Sequence, residues 1–242
     1  MSADSLVAQT LSALADAKRR AETPAETSRT PATARARLST RPGSGGVRGQ
    51  LDRITAWTQT HLGRAAFLPA ADATAVAAAQ QWGKLWPQEL LELFTHADGS
   101  QLQILPVHDL LPLDGSNDIR RLWLDTMTDL RERHPEMAAA FNPEVSAAMP
   151  AGTPAGIFLP QFVPIADLAA TTLFIDTRPG ELFGCVTEYT DEGADDEGPL
   201  WISLAAMLTD LADSLETGTE FLRYQPSAEA GELVWERASR QR

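Results

Sequence analysis

The residues of this chain that could perform chemistry are few and widely spaced. His61, His96, His108 and His134 show no HxH, HxxxH or HExxH spacing, so no two of them stand one helical turn apart to share a metal ion. Cys185 is the one cysteine. It therefore forms no intramolecular disulfide and no cysteine-based zinc site, and its place in a β-forming run reads as a buried, unreactive thiol. The patterns GxGxxG, GxxxxGK[ST] and GxSxG are absent, which leaves a nucleotide cradle and a nucleophile elbow without support. Asp176 and Arg178 read as a structural ion pair or an Asx turn rather than as a catalytic pair. The expectation is a protein without catalytic residues, without a metal or cofactor, and without enzymatic activity. An enzyme would need polar groups brought together only by the tertiary fold.

One cluster keeps a physical hook. Glu188, Asp191, Glu192, Asp195, Asp196 and Glu197 are six carboxylates in a stretch, up to Gly198, that holds no Lys or Arg. They do not follow the calcium-loop pattern D-x-[DN]-x-[DN]-G. Such a run is either a solvated loop or an acidic patch that docks a basic partner, where complementary charge speeds association and sets specificity. The whole chain carries a formal charge of −13. Residues 1–50 hold eight Lys or Arg against four Asp or Glu, so the excess of negative charge lies in the remainder. A body this acidic is poorly suited to a phosphate backbone, so a nucleic-acid partner is not expected. No apolar run approaches the ~20 residues of a membrane span, and the N-terminus lacks the layout of a signal peptide. A cytoplasmic protein that meets another protein is the simplest expectation; its oligomeric state is left open.

The elements that must position these residues centre on Phe158–Tyr189, the most strand-like stretch. Thr172–Asp176 and Leu182–Tyr189 are predicted as two strands joined through Pro179-Gly180. Helices are predicted over 51–62, from Asp72 to Gly83, over 87–97, over about 118–134 and over 200–217. In the last of these Trp201, Leu204, Leu208, Leu211 and Leu215 form one apolar stripe, and Gly218 ends it. Gln101–Val107 is expected as a short strand, 135–157 as a long loop with one helical turn, and Leu233–Trp235 as an edge strand or docked segment. Residues 5–22 read as a weakly held helix, and 22–49, with three prolines and the run GSGGVRG, as a linker. The chain thus divides into an N-terminal arm (1–50), a folded region (51–220) and a C-terminal tail (221–242).

Four stretches in this order carry a resemblance. WPQELLELFTHADGS, ILPVHDLLPLDG, FVPIADLAATTLFIDTRPGELFGCV and LWISLAAMLTDLADSLETG resemble, in collinear order over about 51–220, the helix-and-turn, strand, core and closing-helix motifs of the SMI1/KNR4 (SUKH) superfamily. Phe162 stands where that family usually has Trp, Asp98-Gly99 replaces Asn-Gly, and Trp86 replaces the Leu before Pro87. The resemblance implies an α+β fold with a twisted, mainly antiparallel sheet packed with helices. It also implies a binding function. Many bacterial members are immunity proteins that neutralise polymorphic or contact-dependent toxins, whereas fungal members are regulators linked to cell-wall synthesis. The expected partner is a toxin domain with a basic surface, engaged through the acidic residues from Glu188 to Glu197. An intracellular scaffold or regulator with no toxin partner is the alternative.

Overall fold

The computed structural model describes residues 45–82, 85–134, 142–168, 171–190, 193–194 and 198–238. The predicted helix over 5–22 and most of the linker lie outside them.

The fold is mixed α+β. A five-stranded antiparallel sheet has the order β1-β2-β3-β4-β5, formed by Asp109–Leu110, Phe162–Leu168, Thr171–Asp176, Val186–Thr190 and Gly193–Ala194. The two outer strands are only two residues long, which limits the free edge that could pair with another chain. A separate two-stranded sheet pairs β6 (Tyr224–Glu229) with β7 (Glu232–Arg237). Six α-helices pack around these among the described residues: α1 (Gly46–Leu62), α2 (Ala73–Ala79), α3 (Gln88–His96), α4 (Leu113–Arg133), α5 (Pro143–Ala148) and α6 (Leu204–Thr217).

The main sheet is buried on both faces, which explains why its strands read as nearly continuous apolar runs. Alternate residues Val163, Ile165, Leu173, Ile175 and Val186 pack against Ile54 of α1, Leu90 and Phe94 of α3, and Leu204 and Leu208 of α6. The opposite side chains Phe162, Phe174 and Tyr189 meet Trp123, Met127 and Leu130 of α4 together with Phe158. Trp123 also donates its indole N–H to Thr172 Oγ1 at 3.0 Å, so α4 is held by a directed bond as well as by burial. Pro164 lies within β2 without the N–H a ladder needs, and the β2–β3 register shifts there, between Pro164 and Ala166. Its carbonyl is taken by the Ser116 hydroxyl at 2.6 Å.

Helix α3, with Trp86, Leu90, Leu93 and Phe94 buried, and the buried stripe of α6 match expectation. Asp72 caps α2 by accepting from the Thr74 and Ala75 amides. Several other elements differ from expectation. Helix α1 begins at Gly46 rather than Leu51, because Val47 extends its buried stripe by one turn within the glycine-rich run. The expected strand at Gln101–Val107 is not formed: Ile104, Leu105 and Pro106 are buried consecutively, and pairing begins only at Asp109. Helix α4 starts at Leu113, not Asp118, because Asp98 Oδ1 accepts from the Leu113 amide at 2.6 Å and so caps the first turn from a distant loop. That loop turns at Gly99, whose φ of 82° and approach to Pro112 leave no room for a side chain; a Cβ would stand 2.7 Å from the Pro112 nitrogen. The second strand of the predicted hairpin begins at Val186, since Glu181–Gly184 form a turn. Within the long stretch 135–157, Asn142 caps α5 through the Glu144 and Val145 amides. Helix α6 begins at Leu204, after Ser203 accepts from the Ala206 amide. The tail forms a full hairpin where one edge strand or a docked segment was expected.

Asp176 and Arg178 resolve both readings of their spacing at once. Asp176 Oδ1 accepts from the Arg178 amide at 2.9 Å, an Asx turn, and the guanidinium closes on the same carboxylate with Nη2–Oδ2 at 2.7 Å. Both side chains are fully buried. The guanidinium also donates to the carbonyls of Ser146 and Thr153, while Oδ2 takes the Gly152 amide. Asp176→Ala should cost about 3–5 kcal/mol in urea unfolding, because it strands a buried cation. A cost below about 1 kcal/mol, the value of an exposed pair, would contradict this placement.

Candidate functional site

A cleft of about 650 Å³ opens where the tail hairpin meets the end of the main sheet. Its lining comes from five places: Val107–His108 before β1, Glu188 on β4, Trp201, Asp210 and Asp213 before and along α6, the turn 219–224, and Arg237 on β7. The segment before β1 buries Ile104 and Leu105 in the core on one side of the sheet, and His108 arrives beside Glu188 although β1 and β4 are not neighbours.

His108 is the distinctive group. It is 2 % exposed, and among the described residues neither ring nitrogen has a hydrogen-bond partner. Glu188 Oε1 lies 3.9 Å from Nε2, too far for a hydrogen bond. Burial pushes the imidazole down to about 4 from its ordinary 6.5, so it is neutral at physiological pH. In that state it offers one donor and one acceptor to whatever enters the cleft.

The walls have defined supports. Asp210 accepts from the Trp201 indole N–H at 2.9 Å. Asp213 is bound by Arg53 of α1 at 2.7 Å, and the same guanidinium grips Glu216, which fastens α1 to α6. Trp201 stacks on Phe221 with ring centroids 5.5 Å apart, and Phe221 meets Trp235 of β7 at 6.3 Å. This aromatic row docks the tail hairpin, which would be marginal alone. The turn Phe221–Tyr224 closes with reciprocal backbone bonds, and Leu222 and Arg223 both take positive φ, 47° and 68°. That is a type I′ geometry without the Gly or Asn it favours, at a cost of about 1–2 kcal/mol per residue. Strained backbone and an unsatisfied buried imidazole therefore face one cavity.

Of the acidic residues singled out in sequence, Glu188 lies in this cleft on β4. Asp191, Glu192, Asp195, Asp196 and Glu197 lie outside the described residues; between them Gly193–Ala194 pairs back onto Tyr189 and Thr190. The spacing of histidines carried no sign of His108, whose role depends on a crossing segment that local periodicity does not register. Asp210, Arg223 and Arg237 were hidden in the same way. His61 is exposed at the end of α1, with Nδ1 2.9 Å from the Trp57 carbonyl oxygen, and Cys185 is buried. Among the described residues, no three His, Cys, Asp or Glu side chains are grouped to hold a metal ion, and no helix is long and apolar enough to cross a membrane. Among the described residues, the cleft offers Thr219 and Tyr224 as its hydroxyls and no serine or cysteine. Its described lining holds more carboxylates than cations, one neutral imidazole, and aromatic faces. No protein-family model matches the chain, and no curated protein matches it as a relative.

The buried imidazole predicts a pH signature. The folded state binds the His108 proton more weakly than the unfolded state, so stability is fully present above pH 6.5 and falls as pH drops toward about 4. The charged groups facing it are Glu188, Asp210, Asp213, Glu220, Arg223 and Arg237. Urea unfolding at several pH values should show the native chain losing on the order of 3 kcal/mol more than His108→Leu between pH 7 and pH 4. At pH 7 the variant should be as stable as the native chain or more so, since an apolar side chain of similar size leaves no nitrogen unpaired. Parallel pH profiles for the two proteins would contradict the burial of His108.

Proposed function

We propose that this chain is a non-enzymatic protein-binding module of SMI1/KNR4 type, an immunity protein that acts in the cytoplasm by covering the basic surface of a toxin domain. The observation that carries this reading is the carboxylate-rich cleft beneath Glu188, at the point where β4 enters the acidic stretch. The α+β architecture with an antiparallel sheet agrees with what the resemblance implies, but the resemblance, not the architecture, supplies the family. Occlusion needs no catalyst on the binding side. It needs a surface complementary in charge to a substrate groove, and carboxylates steer such an encounter as well as hold it.

The test is co-expression with the C-terminal toxin domain of a large secreted protein encoded beside this chain. Growth should be restored, and reversal of Glu188, Asp195 and Asp196 to Lys should weaken the complex by about tenfold or more and flatten its salt dependence. Unchanged affinity in the triple variant would overturn the acidic interface. Absence of protection by the native chain would overturn the immunity function. If protection fails and removal of residues 1–50 abolishes the chain's cellular location, the scaffold alternative takes its place.

A further inference from the structure

We infer that β7 is a docking edge for a second copy of this chain. Two β7 strands pair antiparallel about a two-fold axis through Trp235, and the two tail hairpins join into one four-stranded sheet. This pairing involves the chain alone and does not rest on the toxin-binding reading above.

The edges of the two sheets are not alike. In the main sheet, β1 and β5 are two residues long. In the tail, β6 and β7 are six residues each. Their turn, Ala230-Gly231, has both residues at positive φ, 51° and 82°, which makes Glu229 and Glu232 the first hydrogen-bonded pair. Ser227–Val234 and Gln225–Glu236 continue that alternation, and so does the Ala238 amide donating to the Arg223 carbonyl at 2.8 Å. The residues between them turn their N–H and C=O outward. On β6 these are Ala228, Pro226 and Tyr224. Pro226 has no N–H, and Tyr224 exchanges both of its backbone bonds with Phe221. β6 is also the strand that lies against α6. On β7 the outward residues are Leu233, Trp235 and Arg237, and their backbone groups take no backbone hydrogen bond among the described residues. Proteins ordinarily shorten or block such an edge. Among the described edges, β7 is the long one left unblocked.

Charge then selects the register. Leu233 and Trp235 pack against the core, so Glu232, Val234 and Glu236 share the opposite face of the hairpin. Like charges directly opposite each other destabilise a sheet, so an incoming strand must place no carboxylate across from Glu232 or Glu236. A two-fold axis perpendicular to the sheet pairs odd-numbered residues with odd and even with even. Centred on Val234, it sets Glu232 against Glu236 of the second copy. Centred on Glu236, it sets that carboxylate against itself. Centred on Leu233, it runs the strand into the Ala230-Gly231 turn. Centred on Trp235, it sets Glu232 against Ala238 and Val234 against Glu236, with no like charges opposed. The same register brings the outward residues together, Trp235 with Trp235 and Leu233 with Arg237, so that each exchanges both of its backbone bonds. Trp235 already ends the aromatic row from Trp201 through Phe221. Pairing at Trp235 makes the rows of the two copies continuous across the axis.

The experiment is sedimentation equilibrium of the full chain over about 1 μM to 1 mM, the range in which a small interface is populated. A monomer–dimer equilibrium with a Kd on the order of 100 μM is expected. It should tighten by about threefold or more between about 0.05 M and 0.5 M NaCl, because salt screens the repulsion between two copies that each carry a formal charge of −13. Val234→Lys should tighten the dimer by about fivefold or more, since the new cation faces Glu236 of the other copy, and Val234→Glu should weaken it as much. Ser227→Lys makes the same charge change on the same face but within the hairpin, and should move the Kd by less than about twofold. Leu233→Pro removes an outward N–H and no bond within the hairpin, so it should abolish the dimer. Far-UV circular dichroism checks that each variant is folded. A chain that stays monomeric up to about 1 mM overturns the inference and leaves the edge to an extended segment of another protein. A dimer that Val234→Lys weakens, or that Val234→Lys and Ser227→Lys change equally, overturns it as well, because the copies would then meet in another register or through another face.

Discussion

The fully buried pair of Asp176 and Arg178 is the constraint on which the rest of this structure depends. Neither charge could be buried without the other, because an isolated ion in the interior costs several kcal/mol. The pair therefore forms as a unit, at the end of the central strand β3. From there the guanidinium takes the Ser146 and Thr153 carbonyls, and the carboxylate takes the Gly152 amide. A long stretch without strands is thereby tied over the sheet, and Phe158 is seated against Phe162, Phe174 and Tyr189. The backbone beyond Arg178 turns back with Gly184 donating to the Asp176 carbonyl and Asp176 donating to the Cys185 carbonyl. That return sets the register in which Glu188 lies opposite Leu173.

Register decides which face each residue of β4 serves. Val186 and Glu188 share the face covered by α1, α3 and α6, while Tyr189 faces α4. Glu188 lies near the end of β4 on this face, and the tail hairpin, docked through Trp201, Phe221 and Trp235, supplies the far wall of the cleft. The cleft thus lies where β4, α6 and the tail hairpin meet. An imidazole without hydrogen bonds and two residues in left-handed conformation are both unfavourable for folding. Both border the same cavity.

Much of the architecture was legible in the sequence because it rests on local pattern. The stripe Leu204, Leu208, Leu211, Leu215, the proline-led α3, and the β-branched run Thr172–Asp176 each declare their element over a few residues. The ion pair was legible too, since its partners are two residues apart. Elements set by distant bonds were not. Leu113 begins a helix because Asp98 caps it, and Gln101–Val107 alternates in sequence yet forms no strand: Gln101 bonds the Ala66 carbonyl, and Ile104–Pro106 are then buried consecutively. The candidate site was half legible for the same reason. Glu188 stood in an evident acidic run, whereas His108, Asp210 and Arg237 converge only through the fold.

The most direct test of this account is the titration of the His108 imidazole in the free, full chain, followed by its ring resonances. A sealed floor predicts a neutral ring down to about pH 4. A midpoint near the ordinary 6.5 would mean that the ring meets water or is already ion-paired, and would contradict its burial between the sheet and the tail hairpin.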